Sequence, residues 1–349
     1  MKNKLKPYRS AIAQGLSTRA MARVLNIPTT TAWRRANKIK VTGALVHGNT
    51  GHQNRKPNPD KHRIIDAANK YIGFSIAHTV ELLFKRDGIT VNPETLRRWL
   101  NRPKIRKAPK QRARRECREA FGELLQIDGS FHNWFGDKKS CMINIVDDAT
   151  NMCELRFDGQ ETIESACHAA WAWIKKYGVP RAFYADGRNM YHLNPDAPHN
   201  FFTAMCQALG IRVILAHSPQ AKGRVERFNG VHQHRLIPLL RLDGVRDMES
   251  ANKYLENYIM EHNRRFRREP RNLVDAHTRL PDWAETIDDV CVISVERQLN
   301  NDWTFSYNGK IYHIPRQSVY PPAKSKVQLR IGISGRITAY CRRSVFNVQ

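Results

Sequence analysis

The stretch from residue 121 to about residue 226 constrains the fold of this chain most. Leu124-Leu125-Gln126-Ile127-Asp128 reads as a buried strand, Cys141 to Val146 as a second and Met152 to Phe157 as a third. Three strands this close in sequence, joined by short turns, predict an antiparallel meander. A helix follows over Glu161 to Tyr177, then a strand over Arg181 to Ala185 that ends at Asp186. A helix near Phe201 to Leu209 precedes a fifth strand, Arg212 to Ala216. The loop Ser218-Pro219-Gln220-Ala221 then leads into a helix that starts near Lys222 and contains Glu226. Strands separated by helices join in parallel, so the expected product is a mixed five-stranded α/β sheet.

Charge separates this region from what precedes it. Residues 1 to 120 hold 28 Lys and Arg against 7 Asp and Glu, whereas residues 121 to 349 hold 30 against 25. The formal charge of +26 is therefore mostly N-terminal. Such asymmetry points to a nucleic-acid partner attached to a body of ordinary composition.

Residues 1–45 read as a helix-turn-helix unit. Ser17 is placed to cap a helix with Ala20, Met21, Val24 and Leu25 at helical spacing, and Asn26-Ile27-Pro28 breaks it before a helix over Thr29 to Lys38. That last helix carries Trp33, Arg34, Arg35 and Lys38, the basic, polar surface a recognition helix presents to the major groove. Residues 46–101 form a second candidate unit. Here Asn92 caps a helix that begins at Pro93 and reads Glu94-Thr95-Leu96-Arg97-Arg98-Trp99-Leu100, again joining an aromatic anchor to an Arg pair. Residues 102–120 form a basic linker with Lys104, Arg106, Lys107, Arg112, Arg114 and Arg115, suited to tracking phosphates.

Three acids stand out in the body. Asp128 interrupts an apolar strand, where an unpartnered carboxylate costs several kcal/mol; Asp186 ends a strand; Glu226 lies on a helix that can lie against the same sheet. Asp147-Asp148 reads instead as the start of a turn. Gln126-Ile127-Asp128-Gly129-Ser130, Asp147-Asp148-Ala149-Thr150, Tyr184-Ala185-Asp186 and Ser218-Pro219-Gln220-Ala221-Lys222-Gly223-Arg224-Val225-Glu226-Arg227 resemble the DDE transposases with a retroviral-integrase-type catalytic core. Asp128-Gly129-Ser130-Phe131-His132-Asn133-Trp134 is similar to the insertion-sequence group labelled ISNCY.

The resemblance implies a ribonuclease H-like integrase core over residues 121–280, with Asp128, Asp186 and Glu226 as catalytic and metal-binding residues. It implies two Mg²⁺ ions, or Mn²⁺, about 3.5 to 4 Å apart, with Asp128 bridging both. Double-stranded DNA, as element ends and as target, is the implied partner, and a homodimer or higher assembly is expected because two ends must meet. Lys222, Arg224 and Arg227 around Glu226 are candidate phosphate contacts. The 39 residues between Asp186 and Glu226 exceed the family's commonest spacing, and 191–200 reads as a small insertion with His192 and His199 as exposed loop histidines; His217 is read in the same way. A catalytically silent DNA-binding regulator and a general ribonuclease H-type hydrolase stay open as alternatives.

Pro238 is expected to end or kink the Glu226 helix, and Asp247 to Arg268 to form a further helix with a basic, DNA-contacting end. Residues 285–349 alternate in strand fashion with a hairpin turn at Asn308-Gly309, predicting a small β-barrel. Seven scattered cysteines without a CxxC pair argue against a disulfide framework and against a structural zinc site. No signal-peptide pattern or membrane-length apolar run is present, so a cytoplasmic protein is expected, and any helper ATPase would be a separate chain because no GxxxxGK[ST] loop occurs.

Overall fold

The computed structural model describes residues 6–43, 58–103, 116–136, 138–186, 200–216, 223–315, 321–341 and 344–349. They fall into two compact units divided after residue 63.

The first unit is three helices: α1 (Lys6–Ala13), α2 (Thr18–Val24) and α3 (Thr29–Thr42). The Ser17 side chain accepts a hydrogen bond from Ala20 N and so caps α2, as its sequence position predicts. Tyr8, Ala11, Met21, Ala22, Ala32, Ala36 and Ile39 form the core. Ala32, Ala36 and Ile39 recur at i, i+4 and i+7 and take the inward face of α3. Trp33 falls on the other side and is 57% exposed, so it does not anchor this unit as the sequence suggested.

The second unit opens with α4 (Lys61–Asn69), α5 (Ile76–Asp87) and α6 (Pro93–Trp99). The central sheet follows: β1 (Leu125–His132), β2 (Ser140–Asp147), β3 (Cys153–Asp158), β4 (Ala182–Asp186) and β5 (Arg212–Ala216), in the order β3-β2-β1-β4-β5. β1, β2 and β3 are antiparallel neighbours, while β4 joins β1, and β5 joins β4, in parallel. This is the mixed five-stranded sheet predicted. Every residue of β2 is buried, because helices cover both faces.

One face carries α7 (Ile163–Tyr177) and α8 (Phe201–Ala208), whose Ala166, Ala170, Trp173 and Phe202 meet Leu125, Ile127 and Phe183. The other carries α9 (Gly223–Leu242) and α10 (Met248–Phe266), and α4 to α6 share this second core through Leu82, Leu83, Leu96, Leu236 and Leu239. Pro238 does not end α9. Leu236, Ile237, Leu239 and Leu240 are all buried around it, and that burial outweighs one lost backbone hydrogen bond.

After α11 (Ile287–Val290) come β6 (Val292–Gln298), β7 (Thr304–Tyr307), β8 (Lys310–His313), β9 (Lys326–Gly332), β10 (Ile337–Cys341) and β11 (Ser344–Asn347). Asn308 and Gly309 both have positive φ, 48° and 74°, and make the tight β7–β8 turn the sequence predicts. The expected barrel does not form. β11-β10-β9-β6 is an open four-stranded antiparallel sheet and β7-β8 a separate two-stranded one. Among the described residues, the four-residue β8 meets the strands at the chain's end through the reciprocal His313–Gln349 backbone pair, too short a seam to close the sheet. Among the described residues no helix is long and apolar enough to cross a membrane.

Candidate active site

Strand alternation prepares the site. Leu125 and Ile127 point into the α7–α8 core, so Gln126, Asp128 and Ser130 take the α9 face of β1. Three residues of α9 meet them at successive turns. The Gln126 Oε1 accepts from Val225 N at 3.2 Å, Asn229 Nδ2 donates to Asp128 Oδ2 at 3.0 Å, and Gln233 Nε2 donates to Ser130 Oγ at 3.1 Å. Asn144, opposite Asp128 on β2 and fully buried, donates to Asn229 Oδ1 at 2.8 Å. Asp128 is thus aimed by a chain of amides that runs from β2 through α9.

Register supplies the second acid. Gln126 pairs with Tyr184 across β1 and β4, and the same offset continued for two residues sets Asp128 beside Asp186, the last residue of β4. Neighbouring strands lie about 4.8 Å apart. Glu226 is exposed in the first turn of α9, one turn before Asn229. Asp128 and Asp186 thus stand on neighbouring strands and Glu226 on the helix tied to β1, and carboxylates are the hard oxygen donors that Mg²⁺ takes.

The start of α9 is held by ion pairs. Asp148, fully buried, receives Arg118 N at 2.7 Å and Gln126 Nε2 at 2.8 Å, and pairs with Arg224 Nε at 3.0 Å. Arg224 also donates to Asn151 Oδ1 and to Cys117 Sγ. Burial pushes the Cys117 thiol up, but hydrogen bonds from Arg268 and Arg224 win and bring it below its ordinary value. Asp147 accepts from Thr150 N and Oγ1, both at 2.7 Å, and so makes the predicted turn; burial raises its pKa. Gln126, Asn144 and Asp148 position the site, although the sequence reading gave them no such part. A signal was present for Asn144, a lone amide between Ile143 and Ile145 in an apolar strand.

The candidate DNA-binding residues divide. Arg34 on α3, Arg98 on α6 and Arg227 on α9 are exposed. Arg35 donates to the Tyr8 hydroxyl and stacks over its ring, joining α3 to α1. Arg97 is committed to Glu94 through Nε and Nη2 and to the Arg102 carbonyl through Nη1. Arg224 is turned inward, as above. At the basic end after α10, Arg268 donates to the carbonyls of Asp148 and Ala149, and so straps the core. Lys104, Arg106, Lys107, Arg112, Arg114, Arg115 and Lys222 lie outside the described residues, as do His192, His199, His217 and positions 191–199 of the insertion.

No protein-family model matches the chain. Among solved structures, the chain is similar to the integrase catalytic core domain of HTLV-2 in complex with magnesium, in its dimeric form, at 20% identity and a TM-score of 0.31 over 41% of this chain and 85% of that one. It is also similar to a simian T-cell lymphotropic virus intasome in complex with the PP2A regulatory subunit B56 gamma, at 14% identity and a TM-score of 0.39 over 79% of this chain and 95% of that one. Sequence relatives are nearer. Over 310 residues, 82% of this chain, it is 34% identical to y4bF of Sinorhizobium fredii (strain NBRC 101917 / NGR234), a protein that bears the name of a transposase. Over 314 residues, 73% of this chain, it is 31% identical to the transposase for insertion sequence IS1202 of Streptococcus pneumoniae. The chain spans 66% of the length of each of these two relatives. About a third of its residues are identical to theirs over most of its length, so the chain is similar to insertion-sequence transposases.

Proposed function

We propose that this chain is a DNA transposase that binds the terminal inverted repeats of an insertion sequence, cleaves at the element ends and joins the freed 3′-hydroxyls to target DNA. What supports this reading is the parallel β1–β4 pairing, with Gln126 opposite Tyr184 two residues before Asp128 and Asp186, together with the Asn229–Asp128 hydrogen bond that ties α9, the helix of Glu226, to β1. Bound to these three acids, two Mg²⁺ ions, or Mn²⁺, would supply the charge that stabilises the attacking and leaving oxygens of an in-line displacement. In this reading Asp128 would contact both ions, and Asn229 donates a hydrogen bond to its carboxylate. Arg227, exposed beside Glu226, is placed to hold a DNA phosphate.

The three-helix unit at 1–45 and the helices of 46–101 supply sequence recognition in this reading, through Arg34 and Arg98, and the basic segment 102–120 tracks the backbone between them and the core. Two element ends imply at least two protomers on the DNA. Any helper ATPase would be a separate chain, and the site of action is the nucleoid in the cytoplasm. The test incubates the full chain with labelled element ends and Mg²⁺. Nicking at the ends by the wild type, absent in Asp128→Asn with DNA binding retained, is the expected result; equal products from both proteins would remove the metal assignment.

A further inference from the structure

A second group of ligand-type side chains gathers where the middle of α9 meets β3 and α10. Cys153 on β3, His232 on α9 and His262 on α10 each bring one donor atom to within 4.8 Å of the others, and the three are 0%, 0% and 3% exposed. Their spacing in sequence, 153, 232 and 262, matches no zinc motif; only the fold brings them together.

Three observations separate this cluster from ordinary core side chains. The first is unmet hydrogen bonding: His232 Nε2 and both ring nitrogens of His262 have no partner among the described residues. Polar groups buried without a partner are destabilising and call for one. The second is orientation. His232 Nδ1 is engaged by the Tyr258 hydroxyl at 3.0 Å, the outer hydrogen bond that ligating histidines ordinarily make, and this leaves Nε2 as the free donor. The third is rigidity. Asn263, next to His262, accepts from Cys153 N at 2.8 Å and donates to Cys153 O at 2.9 Å, pinning α10 to β3 beside the thiol.

We propose that Cys153, His232 and His262 bind a divalent ion of the Zn²⁺ class, which fastens α9 and α10 to β3 and so steadies the helix that carries Glu226. One thiolate and two imidazoles suit zinc, and Mg²⁺ would not compete for them. Bond lengths near 2.3 Å to sulfur and 2.0 to 2.1 Å to nitrogen put ligand atoms about 3.5 Å apart, so binding closes the cluster by roughly an ångström. Arg235 and Arg265 share the single carboxylate of Glu81, so a net positive charge stays near His262 and the ion must be held by its three donors against it. Coordination by the Cys153 sulfur releases the thiol proton to solvent. A cavity of about 370 Å³ bordered by His78, Tyr258 and His262 adjoins the His262 side of the cluster.

The inference stands whether or not the chain cuts DNA, and its test reads the metal alone. Full chain stripped with a chelator is titrated with Co²⁺ and, separately, with Zn²⁺. The expected result is one ion per chain, a thiolate-to-cobalt charge-transfer band with tetrahedral d–d bands, and a higher Tm on Zn²⁺ addition. Cys153→Ser should lose the charge-transfer band. His262→Cys keeps three donors and adds a second thiolate, so its band should about double, a change that a purely structural histidine would not produce. No band and no Tm shift in the wild type would overturn the proposal, as would an unchanged band in folded Cys153→Ser or His262→Cys.

Discussion

Asn229 shows how much of this site is carried by a single uncharged side chain. It donates to Asp128, accepts from the fully buried Asn144, and stands one turn after Glu226. Asn229→Ala therefore removes two hydrogen bonds and leaves a buried amide without its acceptor, which should cost about 1 to 3 kcal/mol in urea denaturation and slow end cleavage without changing DNA affinity. Arg224 makes a sharper case. Arg224→Ala would strip the cation from the buried Asp148, and breaking such a pair costs about 3 to 5 kcal/mol. The same change should leave the salt dependence of DNA binding as it is, because the guanidinium faces the core; a flatter salt dependence would show that it reaches phosphate. Asp128 and Glu226 stand out as candidates in the sequence because an acid in an apolar strand and an acid in a dense motif both need a reason. The direction of Arg224 was not legible, since a basic residue beside a carboxylate reads alike whether it faces DNA or a buried aspartate.

At the scale of elements, the sheet could be read from the sequence because each strand is a short apolar run and the spacing between runs decides parallel from antiparallel. The C-terminal strands were equally visible, but closure into a barrel depends on edge pairing, which no local pattern records; among the described residues β8 has the His313–Gln349 pair for a seam. The association of α5 with α9 and α10 was likewise hidden, because its partners lie more than 150 residues away. That association rests on Glu81, which pairs with Arg235 and Arg265, and on His78, buried one turn earlier. His78 faces Glu81 and Lys85 on its own helix, Arg235 on α9, Arg265 on α10 and the Phe74 ring, and burial, followed by Arg235, lowers it from 6.5 to about 4. Its neutral form is the folded form. The stability it contributes is complete above about pH 6.5 and is lost as pH falls toward 4, at up to about 1.4 kcal/mol per pH unit. Denaturation midpoints followed from neutral pH downward should fall more steeply in the wild type than in His78→Leu; parallel slopes would contradict this.

For the whole molecule, charge and chemistry are segregated along the chain. The first 120 residues hold the surplus of basic side chains, while the near-balanced remainder holds Asp128, Asp186 and Glu226. Binding and cutting should therefore separate. Each phosphate neutralised adds about 0.9 to the slope of log affinity against log salt, so removing residues 1–43 should flatten that slope, and Asp128→Asn should not. The central claim, that three acids from β1, β4 and α9 make one metal-dependent cutting centre, is tested most directly by end-cleavage rates for Asp128→Asn, Asp186→Asn and Glu226→Gln at matched DNA occupancy in Mg²⁺. The account predicts that each loses cleavage to background while binding the ends like the wild type. Cleavage retained by any one of the three would contradict it.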